Sequence, residues 1–173
     1  MLMDDVGAIV SLVAGIKKDL DSIGLPPEQG YASHSYQLLP KLITHGTRGY
    51  IEKTSQQING CYENGWYDAC AVMMRKLLET VIIEVFESME IEAKIKNPNG
   101  DYHYLGELID VTLKQTEFSL GRNVKRGLPR LKEVGDKAAH SRKTFTHRQY
   151  IDELKGDFRE AVEELLVLSK LKY

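Results

Sequence analysis

Residues 66–87 read WYDACAVMMRKLLETVIIEVFE, and this stretch decides the fold. Cys70, Met73, Met74, Leu77, Leu78, Val81 and Val85 recur at steps of three and four. That spacing gathers side chains on one face of a helix turning about 100° per residue, and the face covers roughly half the wheel. A helix is therefore expected from Trp66 to about Met89, the longest in the chain, with Met73 and Met74 as core filler. Upstream, Asn64-Gly65 ends a second helix that begins near Arg48 and runs to Tyr62. Downstream, Asn97 to Asp101 is a turn, and Leu105 to Thr116 is a short helix with Leu105, Leu108, Ile109 and Leu113 inward. Pro129 suits the first turn of a helix from about Leu128 to Ala139. Thr146 with Gln149 three residues on reads as a capping box. It would start the last helix, whose Ile151, Leu154, Phe158, Ala161, Val162, Leu165 and Leu168 again repeat at three and four.

Nearer the N-terminus, Val6, Ile9, Val10, Leu12, Val13 and Ile16 form one more stripe, ending near Leu20. Between 21 and 47, Gly24, Pro26-Pro27, Gly30, Pro40 and Gly46 break the pattern into an extended linker with one short helix. No β alternation and no internal repeat is found. The expected fold is all-α, an up-and-down bundle of five or six helices. Residues 1–38 are expected as an N-terminal helix plus linker, an arm that docks on its own domain or on a partner copy, and residues 39–173 as the bundle.

The chain has 173 residues, 42% of them apolar and 28% charged, enough to bury a core without disulfide or metal staples. Its longest apolar runs, Val81-Ile82-Ile83 and Leu165-Leu166-Val167-Leu168, are too short to span a bilayer. Asp4 and Asp5 precede the first apolar run and Lys17-Lys18 follow it, the wrong charge order for a signal peptide. Cys61 and Cys70 have no CxxC partner and read as free thiols of a reducing compartment. The expectation is a cytoplasmic protein with no membrane contact, no metal and no cofactor.

Charge is distributed unevenly. From Arg122 to Arg148 there are nine Lys or Arg against Glu133 and Asp136, a net of +7 in a chain whose total is −2. Within it lies Gly135-Asp136-Lys137-Ala138-Ala139-His140-Ser141-Arg142, which places an acid, bases and a histidine in one turn at a helix end. Arg75, Arg122, Lys125, Arg126, Arg130, Lys137 and Arg142 are candidates for binding an anion or a nucleic-acid backbone. Tyr150 and Phe145 lie close enough in sequence to stack on bases, although Phe145 is expected in the core. On the long helix, Asp68, Arg75 and Glu79 share the edge of the apolar face, and Arg75 can pair with Glu79 one turn on. If that edge meets the helix carrying His140, then Arg75, Glu79, Asp136, His140 and Arg142 form one charged pocket. There Asp68, Glu79 or Asp136 would serve as structural or orienting carboxylates, and His140 with Arg142 would be the catalytic candidates. His34, His45 and His103 sit alone in polar segments and read as surface residues. There is no phosphate-gripping glycine loop, no HExxH, no Cys/His metal set and no nucleophile elbow.

Three pieces together carry a resemblance: Leu39-Pro40 with the helix to Asn59-Gly60, the run YENGWYDACAVMMRKLLETVIIEVFE from Tyr62, and GDKAAHSR from Gly135 followed by the terminal helix. In this order they resemble the HEPN superfamily, in the branch found alone or appended to restriction and other defence enzymes. The resemblance implies a helical bundle, dimerisation through the helices, and links to RNA cleavage, nucleotide binding or phage defence. Ribonucleases of that superfamily place an arginine ahead of the histidine with four to six residues between them. At the matching distances before His140 this chain has Gly135, Val134 and Glu133.

Three functions follow as expectations. The first is a non-catalytic HEPN-like dimerising module for a protein or nucleic-acid partner (RNA, DNA, a nucleotide or a defence-system protein), with His140 partly buried and donating to a carbonyl or to Asp136. The second is a metal-independent endoribonuclease with solvent-open His140 beside a cleft. The third is a purely structural protein-interaction domain.

Overall fold

A computed structural model describes residues 12–15 and 37–172. Residues 12–15 are helical, with Leu12 and Val13 exposed; the remainder of the expected first helix and most of the linker lie outside the described residues. From residue 37 onward the chain forms α1 (Lys41–Thr44), α2 (Gly49–Glu63), α3 (Tyr67–Ser88), a 3-10 turn (Glu92–Ile95), α4 (Leu105–Leu113), α5 (Arg122–His140) and α6 (Arg148–Leu168). There is no strand among the described residues, only an isolated bridge between Lys96 and Tyr102. The protein is an all-α bundle, and no helix among the described residues is long and apolar enough to cross a membrane.

The central element is α3, which packs against α2, α4, α5 and α6. The expected face is buried, with Met73 half-buried, and Ala71, Ile82 and Phe86 are buried as well. The apolar surface of α3 is therefore wider than its main stripe, because neighbours cover it on several sides. Even Glu84 is buried, 5% exposed. Its two oxygens take the Tyr50 hydroxyl and the Arg48 guanidinium, the latter at 3.0 Å, both from the start of α2. Burial pushes the Glu84 carboxyl above its ordinary range, and Arg48 works against that shift. Cys70 is buried and Cys61 partly so, and both are free thiols.

Two expectations at helix starts are corrected. The helix α5 begins six residues ahead of Leu128, because Val124, Leu128, Leu131 and Gly135 make one buried stripe at steps of four, three and four. Pro129 thus lies inside the helix, exposed to solvent, and its missing N–H leaves the Lys125 carbonyl without the usual helical partner. The capping box at Thr146 is not formed either. The cap of α6 is His147, which makes no side-chain cap bond. Thr146 instead donates its backbone N–H to Asp68 Oδ1 on α3 at 2.8 Å, and Gln149 donates to Glu153.

The segment entering the bundle is fixed by buried amides. Asn59 Oδ1 accepts the Leu39 N–H at 2.9 Å, and its Nδ2 donates to the Leu39 carbonyl at 2.8 Å. Arg159 of α6 donates to the carbonyls of Gln37 and Leu38, both at 2.7 Å. Leu38 and Leu39 are fully buried beneath these bonds. Asn59→Leu keeps the volume but strands two buried backbone groups, at roughly 1–3 kcal/mol each. Thermal unfolding followed by circular dichroism should show a midpoint about 5–15 °C lower; an unchanged midpoint would remove Asn59 from this role.

Candidate functional site

The C-terminal half of α5 is set against α3 by a missing side chain. A Cβ on Gly135 would lie 2.8 Å from Arg75 Cβ and 3.1 Å from Arg75 Cδ, so glycine alone lets the Arg75 stem pass here undisturbed. The next residue, Asp136, receives the guanidinium: Arg75 Nε lies 3.1 Å from its Oδ1. The Arg75 Nε–H is buried and not aligned on any acceptor, so the pair is held by charge rather than by a formed hydrogen bond. The other oxygen of Asp136 takes Lys132 Nζ at 2.5 Å. The expected pairing of Arg75 with Glu79 is absent, since the longer-range carboxylate of Asp136 takes that cation.

Two depressions flank this end of α5. The first, about 630 Å³ and widely open, lies between α3, the start of α4 and α5. Arg75, Tyr104, Glu107, Lys132, Asp136, Lys137 and His140 line it. Its lysines and arginine are offset: Asp136 takes Arg75 and Lys132, and Glu133 pairs with Lys137 at 2.7 Å. The second, about 510 Å³, lies between α5 and the loop into α6. Val134, Lys137, Ser141, Lys143, Thr144, Phe145, Thr146, His147 and Tyr150 line it, without a carboxylate. Lys137 and Ser141 are common to both, so the two form one continuous surface around the helix end.

Of the pocket expected from sequence, the structure brings together Arg75, Asp136 and His140. Glu79 and Arg142 are not part of its lining. Nor does Asp68, whose acceptor role is to anchor the loop at Thr146. His140 is the last residue of α5 and is exposed, with no hydrogen bond or ion pair to any described residue. The expectation of a partly buried histidine resting on Asp136 is corrected accordingly: Arg75 and Lys132 already occupy both oxygens of that carboxylate.

The basic stretch divides in space. Arg130 is tied to Asp157 at 2.7 Å, and Arg148 lies 3.5 Å from Asp152 and donates to the Tyr62 hydroxyl at 3.0 Å. Arg122, Lys125, Arg126, Arg142 and Lys143 are exposed and pair with no carboxylate among the described residues. The first three sit at the start of α5 and the last two just past its end, about 28 Å away for a helix of 19 residues. The unpaired cations therefore belong to two separate patches, one of them at His140, while the candidates Arg75, Arg130 and Lys137 are held by carboxylates.

Sequence reasoning named Tyr150 and Phe145 as rings able to stack here, but missed Tyr104 and the exposure of Phe145. Phe145, expected in the core, is 73% exposed, because it falls in the loop ahead of the stripe that starts at Ile151. With Tyr104 at 80% and Tyr150 at 53%, it completes the three most exposed aromatic rings among the described residues, and all three line the two depressions. The available signal was that Tyr104 and Phe145 lie outside every helical stripe. His45 and His103 are surface histidines as expected, each beside a glutamate, and His34 lies outside the described residues. No group of His, Cys, Asp and Glu among the described residues is arranged to hold a metal.

Fold and site together define an all-α bundle with a basic, ring-lined end. Comparison with protein-family models, with curated proteins and with solved structures finds no match to this chain.

Gly135→Ala tests the close passage. Alanine gains about 1 kcal/mol of helix propensity, but overpacking against Arg75 costs roughly 1–3 kcal/mol, so a net loss of stability is expected. Since the nearest atom is Cβ, adding Arg75→Ala should not restore the midpoint, whereas Arg75→Gly should relieve the contact. Full rescue by Arg75→Ala would show that the clash is confined to the flexible end of the arginine.

Proposed function

We propose that the protein is a non-catalytic nucleic-acid-binding helical module whose contact surface is the end of α5 and the loop into α6. One observation carries this reading. Unpaired cations, Arg142 and Lys143, stand beside two joined depressions lined by the three most exposed rings. Cations without a carboxylate partner release counterions from a phosphate backbone, and open rings offer faces to bases. The HEPN resemblance supports the same reading, and from it come the further proposals of a homodimer and of a role in bacterial phage defence or restriction. Binding is favoured over catalysis because no carboxylate orients His140. A general acid or base works only when its ring is held toward the reacting proton. The second reading, a metal-independent endoribonuclease, is favoured by one feature, the solvent-open His140 at the rim of the first depression.

Fluorescence anisotropy with labelled RNA and DNA of about 20 nucleotides, titrated at several salt concentrations, tests the proposal. Affinity should fall steeply with salt, and Arg142→Ala and Lys143→Ala should each lower the slope by about 0.7 for single strands. Arg130→Ala should leave it unchanged, since Asp157 holds that side chain. Absence of binding, or binding indifferent to Arg142 and Lys143, overturns the reading. RNA cleavage in EDTA that disappears in His140→Ala would replace it with the ribonuclease.

A further inference from the structure

We infer that the depression between α5 and the loop at 141–147 is a seat for an unpaired nucleobase, so that the ligand is a single strand and a neighbouring phosphate lies on Lys143. This rests on the nucleic-acid reading above and names what that surface recognises. The volume of about 510 Å³ is within the range of sites that take small organic ligands. The lining has the composition a nucleotide needs. Phe145 and Tyr150 offer ring faces, Val134 an apolar wall, Ser141 and Thr144 hydroxyls, and Lys143 an unpaired charge at the rim, while Lys137 beside it is held by Glu133. No carboxylate lines it to repel a phosphate.

The backbone that carries the rings is also held in place before any ligand arrives. Ser141 Oγ bonds the Thr144 hydroxyl and accepts the Thr144 N–H at 3.1 Å, which closes the loop on itself. Asp68 of α3 takes the Thr146 N–H at 2.8 Å, one residue beyond Phe145. Tyr150 belongs to the first turn of α6, with the His147 ring 6.0 Å from its own. A ring on an ordered backbone has only its two side-chain torsions to settle on stacking, which favours the bound state. An acidic peptide would use the lysines but not the ring faces, and a duplex keeps its bases stacked inside. The single strand is the ligand that uses both.

The test compares a single-stranded RNA of about 20 nucleotides carrying 2-aminopurine with its own duplex, using the full chain and its Phe145→Ala, Tyr150→Ala and Phe145→Trp variants. Phe145 and Tyr150 are exposed, so the variants should fold, as circular dichroism would verify. We expect the single strand to bind more tightly than the duplex, with 2-aminopurine quenched on binding. Each alanine should weaken the single strand roughly tenfold without changing the salt slope, and Phe145→Trp should restore both affinity and quenching. Failure of both strand forms to bind removes the nucleic-acid reading and this inference with it. Equal binding of strand and duplex, or indifference to both alanines, leaves that reading standing and overturns the base seat. Poly-glutamate competing as well as the strand, or Phe145→Ala changing the mass in light scattering but not the affinity, assigns the face to an acidic protein or to a second copy and also overturns it.

Discussion

The passage of Arg75 across Gly135 is the contact on which the functional end of this bundle depends. Helices approach to the distance their side chains permit, and at Gly135 there is none to hold α5 off α3. Any other residue would push the last turns of α5 outward and carry His140, Ser141 and the following loop with them. Once the two helices are this close, Asp136 lies beside Arg75 and Lys132, and charge completes what shape began. The contribution of such partly exposed pairs to stability is small, about 1 kcal/mol or less; their effect is on position.

The loop after α5 shows how a surface segment can be ordered without a core of its own. Asp68 reaches it from α3, and Tyr62 of α2 meets its far end by accepting from Arg148 while donating to Asp152 at 2.5 Å. Arg148 also stacks over the Tyr62 ring, 5.4 Å from its centroid. Two helices, α3 and α2, thus anchor the far part of a seven-residue loop whose own apolar side chain, Phe145, is turned out to solvent. Burial stabilises most of the chain; here hydrogen bonds hold the backbone while the side chains stay free for a partner.

Much of the fold was legible in the sequence because its helices carry strong stripes. The bounds of α2 and α3 fall within a residue or so of expectation, and α6 buries Ile151 through Leu165 as read. The start of α5 was not legible. Pro129 is a strong local signal for a first turn, and the buried stripe that overrides it, beginning at Val124, is a tertiary fact. The candidate site was readable in part. Its turn is where the sequence put it, but the partner of Arg75 is 61 positions away rather than four, and a helical wheel cannot rank those options. In the same way, of nine cations close in sequence four are held by carboxylates and the other five fall into two patches at opposite ends of a helix, and a phenylalanine read as core proves to be surface.

The start of α5 has one more consequence. Arg122 and Lys125 stand in a first turn with no acidic residue, where the positive end of the helix dipole repels them. That turn is held by other means: Glu164 of α6 accepts the Gly121 N–H at 2.5 Å, and Leu120 and Val124 are buried beneath it. Added electrolyte screens this internal repulsion and, at the other end of the same helix, would screen the attraction for the polyanion proposed to bind there. One variable would therefore favour the first turn of α5 while weakening the proposed contact at its last. Ionic strength is a lever by which the folding of this segment and its occupancy are drawn in opposite directions.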